Sequence, residues 1–407
     1  MAGRSTARLA ARTVWAALAI FLLLGAGTAF AGSGGKQAPR GKHARLADAK
    51  ALVGPNRCVR ARAKRVNLNR TRRRCAPKRA VASGTPQPLY WGATIGDHLT
   101  GTQAPWDMNA VADFEARAQK SASMIQFFQP FAQCGGSSCS FYGFPTTPMN
   151  DIRAHGAIPV LSWSSQSIPS NQNQPDFQLS DVIEGRYDEF ILDFATESRE
   201  WGHPFFLRFN WEMNGDWFSW SEGVNGNRTG EFVAAWRHVH DLFAQAGATN
   251  VSWVWCPFVD PAGSLQDLAP LYPGDAYVDW TGLDGYNWGT NPSSPRGWRS
   301  FDQLFEASYR QITESIAPTK PLMIGEVGSS EHGGSKAEWI AETLAEVPVS
   351  YPRVKALLWF DKFDDGMDWP IETSGGASAA FAAGVQPAAY QGAAYGGLAG
   401  GAIAPPS

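Results

Sequence analysis

The chain has 407 residues, 44% hydrophobic and 12% aromatic, with 35 Lys or Arg against 37 Asp or Glu. That length and apolar content exclude a wholly disordered chain, and five Cys are too few for a disulfide scaffold of this size. A formal charge of −2 argues against a strongly basic nucleic-acid binder only if the charge is evenly spread, and it is not.

Residues 1–31 read as a secretory signal peptide. Arg4, Arg8 and Arg12 precede an apolar run over 14–27, and Ala29-Phe30-Ala31 places small residues at −3 and −1 before Gly32. The run is short for a spanning helix, and an uncleaved anchor is the alternative. The expected localisation is secreted or cell-surface associated, where disulfides are permitted. Residues 32–84 read as a basic linker or tether. Sixteen Lys or Arg and one acid, Asp48, lie within 36–79. So few large apolar residues cannot offset chain entropy. Cys58 and Cys75 bracket its densest part and are expected to pair. An anionic cell-wall polymer is one partner this charge would suit; a solvated linker is the plainer alternative. Nothing beyond charge points to nucleic acid, so no such partner is expected. The remainder, 80–407, holds 16 basic and 36 acidic residues, a net −20.

From residue 89 a β-rich run, a loop and an amphipathic stretch repeat. Strands are expected over 89–94, 123–128, 158–162, 204–210, 251–257, 280–286, 322–327 and 355–360. Helices are expected over 107–120, 146–154, 180–200, 229–246, 299–316, 336–346 and about 378–383, with Pro/Gly-rich 262–277 mostly loop. Runs such as Phe205-Phe206-Leu207 are apolar at successive positions, as in strands buried on both faces of a parallel sheet. The fold class is therefore α/β, a (β/α)8 TIM barrel over 85–385. An open doubly wound sheet is the runner-up, weakened because no Gly-rich phosphate fingerprint follows any strand. Residues 386–407 are an Ala/Gly/Pro-rich tail that either drapes on the barrel or lacks order.

In such a barrel, reactive groups come from strand C-termini. The fourth expected strand leads into Glu212 and the seventh ends at Glu326. Two acids at one mouth suit glycoside cleavage, one protonated to donate and one ionised to attack. Trp211 and Trp217 are apolar neighbours for Glu212, and Arg208 and Tyr286 are candidate donors to Glu326. A Glu at a strand end is also commonly a salt-bridge partner, so the pair alone leaves both readings open.

The flanking residues carry a resemblance. The stretch 208–220, RFNWEMNGDWFSW, resembles the acid/base signature of glycoside hydrolase family 26, typified by endo-β-1,4-mannanases. DGYNWG at 284–289 resembles that family's sixth-strand motif. GEVG at 325–328, followed by Lys336-Ala337-Glu338-Trp339, resembles its nucleophile motif. Trp359-Phe360-Asp361 and Asp368-Trp369 resemble its eighth-strand region. The four motifs occur in order across about 89–385. The resemblance implies Glu212 as acid/base, Glu326 as nucleophile, Tyr286 supporting Glu326, and Trp359 flooring the sugar site. It implies retaining double displacement on a β-1,4-mannan-type polysaccharide, with no cofactor. Family members usually place a His before the acid/base; here Trp211 stands there. A larger indole changes how the sugar is held, so mixed-linkage β-glucan and β-1,3-xylan stand beside mannan as substrates. From a different class, a non-catalytic carbohydrate-binding cell-envelope protein is the alternative, which the intact acid pair disfavours.

Trp217, Trp220, Trp288 and Trp359 fall in expected mouth loops or strand ends, where indoles stack on sugar C–H faces; core packing is the alternative. Asn214 and Asn287 would bond sugar hydroxyls or cap backbone. Cys134 and Cys139 enclose a short Gly/Ser loop and are expected to form a tight disulfide. Cys256 is left over as a buried thiol. The seven His show no metal spacing. Asp361, Asp364, Asp365 and Asp368 form a loose acidic cluster read as a solvated loop rather than a calcium site. No metal is expected, and the chain is expected to be a monomer.

Overall fold

The computed structural model describes residues 84–136, 138–260, 262–292 and 296–407. The signal-peptide reading, the basic-segment reading through residue 83 and the Cys58–Cys75 pairing lie outside these residues.

Successive apolar residues become strands buried on both faces. In chain order the elements are β1 (Leu89–Ile95), α1 (Met108–Ala118), β2 (Met124–Gly135), β3 (Ser138–Phe141), α2 (Thr146–His155) and β4 (Ile158–Ile168). Next come α3 (Leu179–Ile183), α4 (Asp188–Trp201), β5 (Phe205–Phe209), α5 (Glu231–Ala246), β6 (Val251–Trp255) and β7 (Trp280–Asn287). The last are α6 (Phe301–Arg310), β8 (Leu322–Ser329), α7 (Lys336–Ser350), β9 (Val354–Asp361), α8 (Gly375–Val385) and β10 (Tyr390–Gln391). Neighbours run β1-β9-β8-β7-β6-β5-β4-β2, and β1 also pairs with β2, so eight parallel strands close a (β/α)8 barrel. Every residue of β1, β5, β6, β7 and β8 is buried. Each large apolar side chain so covered contributes about 1.5–3 kcal/mol before chain entropy is subtracted. At the closing seam Gly92 faces Met124, whose carbonyl oxygen would lie 1.8 Å from any added Cβ. A side chain there would hold the seam open.

The expected elements shift in several places, and the strand expected over 158–162 and the helix expected over 336–346 run on to Ile168 and Ser350. The 180–200 helix is two, α3 and α4, because Gly185 turns left-handed (φ 83°) between them. The second strand continues past 128 to Gly135 and folds back as β3, with Cys134 bonded to Cys139 across the hairpin. The 299–316 helix starts at Phe301 behind a Ser300–Gln303 capping box and ends in a π-helical turn, Gln311–Ile316. The last helix is longer than 378–383, beginning behind the Ser374 cap.

Of the two alternatives for the tail, the structure takes the draped one. Tyr390 pairs beside Leu89 at the edge of β1. Farther on, the Ile403 carbonyl accepts from Trp280 Nε1 (2.8 Å), the Ala404 carbonyl from the Tyr90 hydroxyl (3.0 Å), and Ile403 N donates to Ser252 Oγ (2.7 Å). These partners lie at the N-terminal ends of β7, β1 and β6, so the tail plugs the end of the barrel opposite the reactive mouth. Deleting 392–407 is expected to cost about 2–4 kcal/mol, because buried donors lose their acceptors along with the buried Ile403. Urea unfolding of the truncated chain checks this.

Candidate active site

β5 brings Arg208 inward, and the chain then leaves the strand in an unusual way. Asn210 and Glu212 both adopt left-handed backbone (φ 44° and 53°), a conformation that costs a non-glycine residue on the order of 1 kcal/mol or more. Neighbouring strands hold it there. Asn210 N donates to Trp163 O (3.0 Å), Glu212 N donates to Cys256 O (2.8 Å), and Asn210 Oδ1 accepts from Ser165 N (2.9 Å). Glu212 is thereby turned over the barrel mouth and remains buried.

β7 alternates by two, so Asp284 and Tyr286 share the inward face. β8 adds Glu326. The Arg208 guanidinium is wholly buried between them. Its Nη2 lies 2.5 Å from Glu326 Oε1 and 3.0 Å from Asp284 Oδ2, and Nη1 donates to Asp284 Oδ1 (3.2 Å). The Tyr286 hydroxyl donates to Glu326 Oε2. Both Glu326 oxygens therefore accept, as an acceptor-only carboxylate requires. Gly325 makes room for the cluster. A Cβ there would sit 2.7 Å from Asp284 Oδ1 and 2.8 Å from Arg208 Nη1.

Glu212, Asp284 and Glu326 each place an oxygen within 4.8 Å of the other two. One guanidinium cannot neutralise three buried carboxylates, so the trio retains protons. Burial, then the charges of Asp284 and Glu326, push Glu212 well above the ordinary carboxylate range. Burial likewise pushes Asp284 up to about 8, against the pull of Arg208. Glu212 can thus carry a proton at neutral pH, as a general acid must. Trp217 Nε1 donates to Glu212 Oε2 (2.6 Å) and favours its ionised form. Trp217→Phe removes that donor, so the Glu212 pKa rises. The alkaline limb of kcat/KM, where the acid loses its proton, is then expected to move to higher pH; a pH–rate profile checks it.

The aromatic expectations divide. Trp211 touches Phe128, Phe218 and Trp220 and lies 5.2 Å from the Arg208 guanidinium carbon, so it borders the site. Trp217 and Trp288 are half-buried at the mouth. Trp220 is not at the surface of the cleft. It is fully buried and donates to Trp211 O (2.8 Å), bracing its neighbour instead. Trp359 does not floor the sugar site either. It faces outward from β9 onto Trp339 of α7 and Phe381 of α8. Inward positions on that side belong to Phe360 and Trp369, both in ring contact with Tyr286. Of the two readings of Asn214 and Asn287, the structure shows the capping one, and both side chains are buried. Asn214 bonds both the N–H and the carbonyl of Phe258, and Asn287 bonds Ser329 Oγ and Arg299 N. The acidic cluster is no uniform solvated loop, since Asp361 is wholly buried.

Phe128 and Phe258 belong to the site without having been singled out, and Asp284, Phe360 and Trp369, which stood inside the quoted motifs, belong to it without having been given a role. Asp284 was findable: it stands two residues before Tyr286 on a strand, hence on the same face. The aromatic cluster of Tyr286, Phe360, Met367 and Trp369, with Phe128, Phe258 and Trp288 against it, is separate from the main core.

The model of glycosyl hydrolase family 26 matches residues 95–330, more than half of the chain. The chain belongs to glycosyl hydrolase family 26. The match runs through Glu212, Asp284 and Glu326, so the buried acid trio is part of the family 26 region. Endoglucanase H of Acetivibrio thermocellus is 38% identical over 231 residues, 56% of this chain and 24% of that protein. A mannan endo-1,4-beta-mannosidase of Bacillus subtilis is 24% identical over 239 residues, 56% of this chain and 60% of its own. The chain therefore spans less than two thirds of either relative. Among solved structures, a modular endo-beta-1,4-mannanase from Cellulomonas fimi superposes with a TM-score of 0.57 at 17% identity, over 78% of this chain and 76% of that one. At that identity it speaks to the family 26 barrel alone.

Proposed function

We propose that this family 26 chain is a retaining endo-β-glycanase acting on β-1,4-mannan-type polysaccharide. The observation that carries the mechanism is that one oxygen of Glu212 lies within 4.8 Å of one oxygen of Glu326, which leaves no room for a water held between the two. Retaining glycosidases hold their carboxyl groups about 5–5.5 Å apart, whereas inverting ones need roughly 6.5–9.5 Å to admit a water between. Glu326 attacks the anomeric carbon while Glu212 gives its proton to the leaving glycosidic oxygen. The C–O bond breaks and a glycosyl ester forms on Glu326. Glu212, now ionised, takes a proton from water, which attacks the same carbon, and Glu326 leaves with its electron pair. Arg208 and Tyr286 hold the carboxylate during attack and accommodate its return.

A second reading, mixed-linkage β-glucan as the substrate, is favoured by two observations. Trp211 sits where mannanases of the family usually have His, and endoglucanase H is 38% identical. Reducing-sugar release from mannan, lichenan and β-1,3-xylan tests both. Cleavage of mannan is expected; cleavage of lichenan alone supports the second reading, and cleavage of none contradicts both.

The leader-like residues 1–31 and the sixteen basic residues within 36–79 support an exported enzyme retained on an anionic wall polymer. Deleting 36–79 is then expected to abolish salt-sensitive retention on cells while hydrolysis persists.

A further inference from the structure

Outside the acid trio, three potential ligands meet where the first and last barrel strands join. His98 lies in the loop after β1, and Asp361 ends β9, paired with Ile95. Glu372 lies in the short helical turn Ile371–Thr373 that follows. His98 Nε2 is 3.5 Å from Asp361 Oδ2 and 3.5 Å from Glu372 Oε2. One ligand atom from each residue lies within 4.8 Å of the others.

Hydrogen bonding leaves this group incomplete. Asp361 is wholly buried; Ile371 N satisfies its Oδ1 (2.8 Å), but Oδ2 has no hydrogen bond among the described residues. Neither do both His98 ring nitrogens and both Glu372 oxygens, all of them buried. Arg117 Nε approaches Glu372 Oε1 only to 3.6 Å. These groups meet as ion pairs at 3.5–3.6 Å, yet native proteins seldom leave so many buried polar atoms without a hydrogen bond in one place. A proton on His98 Nε2 can be directed at only one of the two carboxylates. A cation equidistant from all three ligands satisfies them together. Both His98 separations, 3.5 Å, match tetrahedral zinc, whose bonds of about 2.0–2.2 Å set ligand atoms roughly 3.3–3.6 Å apart; an oxygen of Asp361 and one of Glu372 lie within 4.8 Å of each other.

We propose that His98, Asp361 and Glu372 form a zinc-class divalent metal site distinct from the acid trio. One imidazole and two carboxylates suit zinc better than calcium, which takes six to eight oxygens. The site joins both ends of the loop that carries Trp369. Trp369 lies 4.7 Å, ring centre to ring centre, from Tyr286, so a bound metal would brace the cleft wall from behind.

The test is zinc titration of the chelator-treated full chain at neutral pH by calorimetry, with a thermal melt at each end point. Wild type is expected to bind one equivalent at this site and to melt at higher temperature with zinc. His98→Ala is expected to lose that equivalent and the shift. Glu372→Gln, which keeps size and shape, is expected to weaken binding at least tenfold, and it serves if His98→Ala does not fold. Absence of a stoichiometric site in wild type overturns the proposal. So does equal zinc binding in folded wild type and Glu372→Gln, or a preference for calcium over zinc.

Discussion

Glu326→Ala is expected to lower kcat on the polymeric substrate by about 10⁴- to 10⁶-fold, the scale seen when a covalent nucleophile is removed. The loss should fall on kcat more than on KM, because the aromatic walls that would hold the sugar are untouched. Folding should survive. Removing Glu326 takes one negative charge from a cluster of three acids and one Arg208, and leaves the guanidinium still paired with Asp284 at 3.0 Å. Glu212→Ala should cost less on activated aryl glycosides than on polysaccharide, because a good leaving group needs no proton; general acid catalysis is worth roughly 10²- to 10⁴-fold. Steady-state kinetics on both substrate types separate the two roles. A Glu326→Ala enzyme that retains full activity would remove the nucleophile from the account.

Arg208→Met is expected to cost about 3–5 kcal/mol of stability and nearly all activity. The Met fills much of the volume but leaves Asp284 and Glu326 buried with no counter-ion, and removing one side of a buried ion pair is the costly change. Tyr286 would remain the donor to Glu326, and Cys256 Sγ the contact on Asp284 at 3.2 Å. The remaining acids should respond by binding protons, so the variant's stability deficit should shrink as pH falls. Wild type is the reference: burial raises Asp284 to about 8, far above the roughly 3.9 of an unfolded chain, so its burial weighs on stability as pH rises through that window. Without Arg208 the weight grows. Urea unfolding of both proteins at pH 5 and pH 8 measures the difference.

The strands and the two acids of the proposed mechanism were legible because their signals are local. A strand buried on both faces is a short apolar run, and Glu212 and Glu326 follow or end such runs. What was not legible depends on which way a side chain faces and what meets it. Trp359 and Phe360 are adjacent, and only the closed barrel decides that Phe360 meets Tyr286 while Trp359 meets the helices. Asn214 and Asn287 read equally as sugar ligands or backbone caps, and only the fold brings up the N–H groups of Phe258 and Arg299 that they cap. Asp361 read as a solvated acid, yet the turn at Ile371 folds over it and donates to it. His98, Asp361 and Glu372 have no spacing that a sequence motif could register, since the pairing of β1 with β9 sets His98 near Asp361 and the turn after β9 folds Glu372 back onto them.

The most direct measurement is the anomeric configuration of the first product, followed by proton NMR during hydrolysis of a β-linked oligosaccharide. Two acids within 4.8 Å, one attacking and one donating, predict that the β-anomer appears first and mutarotates later. First appearance of the α-anomer would mean direct attack by water, and would contradict Glu326 as the nucleophile.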